Sequence, residues 1–176
     1  ANPFTIFPEV AAYYQEVLDH KRRKAAACRD AEKNWARENP ALAAKLASFL
    51  SGKAPDIAVK EVPQKDDIAT RAASSNVLAW LAKNVENMVV ASADLSNSDK
   101  TDGFLKNTRA FRKGDFTGAF LQAGVAELTM AAVANGIALH GGLIVACGTF
   151  FVFSDYMKPA VRLAALEITD GQATVV

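Results

Sequence analysis

The sequence predicts an α/β fold: a mostly parallel sheet flanked by helices, with a helical linker segment in front. The first observation is an alternation of helix, strand, helix, strand, helix, strand, helix, the order of a sheet covered by helices. The second is that the strand candidates are short apolar runs, as buried strands are. The third is a polar loop directly past the carboxyl end of the first run, where open α/β sheets bind ligands.

Pro8-Glu9 starts the first helix, with proline at the first position and an acid in the first turn. That helix is expected to run to about Asn39-Pro40, with Val10, Tyr13, Tyr14, Val17, Cys28, Ala31 and Trp35 as intermittent apolar contacts. Its basic middle, His20-Lys21-Arg22-Arg23-Lys24, reads as a solvated face, because neighbouring acids cancel its charge. A second helix follows from Pro40 to about Leu50 and ends at Ser51-Gly52. Gly52, Pro55, Pro63 and mixed charge make residues 52–66 linker chemistry.

Asp66-Asp67 is expected to cap the next helix, in which Ile68, Ala72, Val77, Leu78, Trp80 and Leu81 recur at helical spacing. Met88-Val89-Val90-Ala91 reads as a buried strand, and Ser92 to Asp99 as the polar loop after it. The chain to about Thr117 is polar and glycine-bearing, and is expected to be loop. Phe120-Leu121-Gln122 is a further short strand. Gly124 to Val133 then sets a single carboxylate, Glu127, in an apolar or small-residue run, where an unpartnered charge is costly. His140-Gly141-Gly142 stops that helix, LIVAC is the last strand, and Gly148-Thr149 opens an aromatic-rich helix.

Bulk properties narrow the function. With 176 residues, 51% hydrophobic and 22% charged, the chain can bury a core and is globular rather than disordered. A formal net charge of +1 gives no electrostatic case for nucleic acid or an anionic membrane. No apolar run reaches the roughly 20 residues of a spanning helix. The longest, Leu143 to Phe153, is interrupted by Gly148 and Thr149. No signal-peptide pattern follows Asn2-Pro3. Cys28 and Cys147 are far apart with only His20 and His140 to add, so no metal site is expected, and a reducing cytoplasm is the expected location.

Five blocks carry a resemblance: Ser92-Ala93-Asp94-Leu95, Gly124-Val125-Ala126-Glu127, Asn135-Gly136-Ile137-Ala138, His140-Gly141-Gly142 and Gly148-Thr149-Phe150. In this order, and continued by FSDYMKPAVRLAA, they resemble the pyrimidine-binding domain of transketolase. The preceding helices and the stretch up to Ala69-Thr70-Arg71 resemble the segment joining that enzyme's two cofactor domains. The expected organisation is a helical linker over residues 1–65, an incomplete pyrimidine-binding α/β domain over 66–166, and an unplaced tail over 167–176.

The resemblance implies a thiamine diphosphate enzyme that moves a two-carbon ketol unit between sugar phosphates, with the cofactor as electron sink. It implies that Glu127 bonds the pyrimidine nitrogen across the ring from the 4′-amino group, favouring the imino tautomer. An apolar wall disfavours an isolated charge, so such an acid shares its proton with the ring. Taken alone, Glu127 is equally an acid favoured by a helix dipole. Phe150, Phe153 and Tyr156, at spacings of three, match rings that wall the aminopyrimidine, and composition alone also allows a core stripe. Arg71 and Ser98 match positions that hold the sugar phosphate, with a surface arginine and a turn serine as the plain alternative. Asp94 matches an aspartate near the cofactor and the subunit interface, or is a loop-capping residue.

Departures accompany the match. Ala126 and Leu128 stand where the family usually has arginine and histidine, Thr129 stands at a glycine-like position, and Val90-Ala91 replaces a double glycine. Residues 167–176 fit nothing expected next. No phosphate-cradling glycine loop or cluster of magnesium ligands is present, so the diphosphate and its Mg2+ are expected to be bound outside this chain. The expected partner is a diphosphate-binding domain, in the same enzyme or a partner chain, within a homodimer. Isolated, the chain is expected to be inactive. The alternatives are a non-catalytic interaction subunit that keeps the fold, or another thiamine diphosphate enzyme such as a dihydroxyacetone synthase.

Overall fold

Every residue of the first strand, β1 (Met88–Ser92), is buried. In this computed structural model, which describes residues 3–166, β1 is the middle of a three-stranded sheet of order β2-β1-β3. Its partners are β2 (Phe120–Gln122) and β3 (Ile144–Gly148), both parallel to it. A central parallel strand is covered on both faces, which explains the unbroken apolar run Met88-Val89-Val90-Ala91.

The two faces separate by the period of two. Met88 and Val90 pack with Val85, Phe104 and Phe120 in one cluster, joined by Leu78, Leu81, Ile144 and Ala146. Ala91 and Ala93 pack with Met130 on the other face, joined by Leu121, Cys147 and Met157. Phe120 and Phe104 are almost wholly buried. Register fixes the pairing: Val90 lies opposite both Phe120 and Ala146, and Ser92 opposite both Gln122 and Gly148. The three strands therefore end level, at one edge.

Helices α1 (Pro8–Glu38) and α2 (Pro40–Leu50) come first, and proline opens both. The chain forms two compact units divided between Ala47 and Ser48. None of the α1 residues is buried. In the second unit, a single turn of 3-10 helix (Val59–Glu61) precedes α3 (Thr70–Asn84). The segment expected as linker is tied to that helix, because Gln64 donates to the Ala73 carbonyl (3.1 Å) and accepts from Asn76 (3.2 Å).

Asp66 and Asp67 do not cap α3. Its cap is Ala69, without a side-chain bond, and Asp67 takes a left-handed φ of 55° in the turn before it. The stretch expected as loop carries two single helical turns, α4 (Ser96–Asp99) and α5 (Asp102–Leu105), and α5 buries Gly103 and Phe104. Phe104 on the second of these turns is buried in the core cluster with Phe120, which anchors the turn to the sheet. On the opposite face run α6 (Glu127–His140) and α7 (Ser154–Leu166). Buried alanines Ala160 and Ala164 let these two helices approach, and Asn135 bonds the Ala160 carbonyl at 2.8 Å. A 3-10 turn, Phe151–Phe153, intervenes between β3 and α7, so the aromatic helix starts later than Gly148-Thr149.

Candidate functional site

Because the strands end level, the segments leaving them rise from the same edge. Ala123 to Ala126 connect β2 to α6. Gly124 makes the reversal with φ +70°, a region that suits glycine, and the Ala126 amide closes the turn on the Gly124 carbonyl (2.8 Å). Glu127 is then the first residue of α6 and is 8% exposed. Met130 and Ala131, one turn on, are buried on the same stripe. A glutamate at this point gains from the helix dipole even where solvent is scarce.

Its hydrogen-bond partner comes from β3. Thr149, the residue after that strand, lies with its hydroxyl 3.5 Å from Glu127 Oε1, a long bond from donor to carboxylate. Phe150, Phe153 and Tyr156 follow as a ladder. Ring centroids are 6.0 Å apart for the first pair and 6.1 Å for the second, with near-parallel planes. Phe150 and Phe153 are half-buried, whereas Tyr156 is 61% exposed and Phe151, between them, is 93% exposed. Cys147 lies one residue before β3 ends, and burial pushes its thiol pKa up.

The loop after β1 brings a second group together. Arg71, in the first turn of α3, donates from Nη1 to the Ser98 carbonyl at 3.3 Å. The Ser98 hydroxyl donates to Asn97 Oδ1 (3.2 Å). Asp94 is exposed on the same loop in a left-handed conformation (φ 63°) and makes no hydrogen bond among the described residues. The two groups are thus Glu127 with Thr149, the residue directly before the ring ladder, and Arg71 with Ser98. Asp94 belongs to neither by contact.

Three polar residues were missed in sequence. Ser92, Asp99 and Thr101 form a buried or half-buried knot under the loop. Ser92 Oγ donates to Asp99 Oδ2 (2.8 Å), while Thr101 bonds Asp99 Oδ1 through its amide (2.9 Å) and hydroxyl (2.8 Å). Spacing could have flagged them, since an aspartate two residues before a threonine is a common local cap. Thr149 enters the sequence reading as a helix opener and as part of the Gly148-Thr149-Phe150 block, with no link to Glu127.

The site therefore offers one buried acid with one hydroxyl partner, Thr149, and three stacked rings that begin at the next residue. Among the described residues no group of three or more His, Cys, Asp or Glu could hold a metal ion. Likewise, no described helix is long and apolar enough to cross a membrane.

Comparison with known proteins agrees with this fold. Residues 66–173 match the family model described as transketolase, pyrimidine binding domain. Transketolase of Halalkalibacterium halodurans is 39% identical over 168 residues, covering 94% of this chain and 25% of that protein. Transketolase of Bacillus subtilis is 47% identical over 130 residues, covering 72% and 19%. Among solved structures, transketolase from Leishmania mexicana superposes with a TM-score of 0.79 at 31% identity, over 92% of this chain and 24% of that one. A Pichia stipitis transketolase complex with sedoheptulose-7-phosphate gives 0.77 at 32% identity, over 93% and 25%. The chain spans about a quarter of the length of the relatives it matches along nearly its whole length.

Proposed function

The chain belongs to the family of transketolase pyrimidine-binding domains, and from that premise we propose that it supplies the acid-bearing half of a thiamine diphosphate site. The reaction is transfer of a two-carbon ketol unit between sugar phosphates. The observation that carries this reading is Glu127, a buried carboxylate at the edge where β2 and β3 end, bonded by Thr149, the residue directly before the aromatic ladder.

Thiamine diphosphate, when bound, supplies the electron sink for cleaving the bond beside the ketose carbonyl. Glu127 holds a proton at a carboxylate oxygen for the pyrimidine ring nitrogen. Thr149 restrains that carboxylate through its hydroxyl. Phe150 and Phe153 keep water from the ring's faces, and Tyr156 extends the same wall. Arg71 and Ser98 take the substrate's phosphate, with the guanidinium as a fork for its oxygens. Asp94 lies on the side of the site nearest the subunit interface. The diphosphate and Mg2+ are held by a diphosphate-binding domain, in the same enzyme or in the partner of a cytoplasmic homodimer. The chain by itself is inactive.

The test is to assemble this chain with the matching diphosphate-binding portion and assay ketol transfer. Glu127→Ala is expected to lower kcat by about 10²–10⁴-fold, the usual weight of a general acid or base. Equal rates would remove Glu127 from the mechanism.

Leu128 favours a second reading. It is 49% exposed beside Glu127, where the family usually carries histidine. A non-catalytic subunit that keeps the fold would bind no thiamine diphosphate, so titrating the cofactor into the assembled complex separates the two readings.

A further inference from the structure

We propose that Asp99 is a positioning residue for the Arg71–Ser98 pair, an inference that rests on the ketol-transfer reading above. Ser92, the last residue of β1, is 2% exposed, so its hydroxyl must be satisfied within the protein. It donates to Asp99 Oδ2 (2.8 Å) and accepts from the Leu95 amide (3.2 Å). The other oxygen of Asp99 takes both the amide and the hydroxyl of Thr101. One carboxylate thus joins the end of β1 to the exit of the loop, and Ser92 carries the link on to Leu95 at the loop's start. Three donors converge on the carboxylate, and charge-assisted bonds of this length are stronger than neutral ones.

Two further observations tie this knot to the site. Lys100, directly after Asp99, adopts a left-handed φ of 70°, which a side-chain-bearing residue keeps only when its surroundings hold it there. Ser98, directly before Asp99, receives the Arg71 guanidinium on its carbonyl. The loop is also registered against β3, because a Cβ at Gly148 would lie 2.6 Å from Thr101 Cγ2 and 3.5 Å from Asp99 Oδ2. Thr149 follows Gly148 and carries the hydroxyl that meets Glu127. Among the described residues Asp99 makes no hydrogen bond to the side chain of Arg71 or Ser98. It sets where Ser98 and Arg71 stand relative to the strand end that carries Thr149.

The test compares two ketose donors, one with its terminal phosphate and one without, in the complex assembled with the diphosphate-binding portion and cofactor. Asp99→Ala is expected to raise KM for the phosphorylated donor by about tenfold, with kcat and the KM for the unphosphorylated donor unchanged. Asp99→Asn, which keeps an acceptor for Thr101, is expected to restore most of the loss. Should Asp99→Ala not fold, Ser92→Ala carries the same comparison, since it removes one donor and leaves the Thr101 bonds. A folded variant whose KM values shift equally for both donors, or not at all, overturns the proposal. Arg71→Leu separates this failure from that of the underlying reading. If Arg71→Leu also leaves the phosphorylated-donor KM unchanged, the phosphate assignment falls and Asp99 with it. If Arg71→Leu raises it and Asp99→Ala does not, only the positioning role falls. An assembly that transfers no ketol unit overturns both.

Discussion

Gly148, at the end of β3, faces Thr101 so closely that a single added Cβ would lie 2.6 Å from the threonine methyl. Thr101 cannot turn aside freely, since its hydroxyl is bonded to Asp99 at 2.8 Å. Gly148→Ala is therefore expected to cost about 1–3 kcal/mol of stability, the usual range for overpacking a close contact. Chemical denaturation of the isolated chain measures it, and an unchanged midpoint would mean that the loop yields without loss.

Thr149→Val keeps the shape of the side chain and deletes the hydroxyl that meets Glu127. Stability is expected to fall by no more than about 1 kcal/mol, because the bond is long. The rate of ketol transfer in the assembled complex is expected to fall by about tenfold, as roughly 1.4 kcal/mol of lost orientation would cause. A rate equal to that of the parent protein would show that Glu127 needs no such restraint.

The two cysteines should separate in reactivity. Cys28 is exposed, whereas burial raises the Cys147 pKa and leaves less thiolate at a given pH. Labelling with a thiol reagent near neutral pH is expected to be fast at Cys28 and slow at Cys147. The linkage sign follows from the raised folded-state value. Cys147 contributes stability that is complete below the ordinary thiol range and is lost as pH rises through the raised pKa. Melting across alkaline pH should show this slope, and Cys147→Ala should flatten it.

Phe120 is fully buried between Val90 and the α3–α5 side of the sheet. Phe120→Ala is expected to cost about 3–5 kcal/mol. Val125→Ala, a change at an 81% exposed side chain on the next turn, should be within about 0.5 kcal/mol of neutral. Similar losses for both would contradict the assignment of the core.

The strands were legible because burial selects apolar runs such as Met88-Val89-Val90-Ala91 and LIVAC, whereas α1, which buries no residue, was legible from Pro8-Glu9 at its start. Glu127 was legible too, as the lone acid in an apolar stretch, and the fold buries it. The helical turns at Ser96–Asp99 and Asp102–Leu105 were not legible. They are too short for a period to register, and Phe104 alone anchors the second. The aspartates ahead of α3 misled for a related reason: a capping residue type was present, but the backbone turned left-handed at Asp67 before the helix began. The Ser92–Asp99–Thr101 knot stayed hidden because its bonds run between a strand end and a loop, a relation that residue spacing does not encode.

Arg71, Asp94 and Ser98, Glu127, and the ring ladder arrive on separate segments that meet the sheet at its level edge. Scaffold and chemistry are in this way separable inheritances. Swapping one connecting segment for another of different composition would alter what the edge grips while leaving the strand pairing intact. A designer could graft a new specificity here one connection at a time.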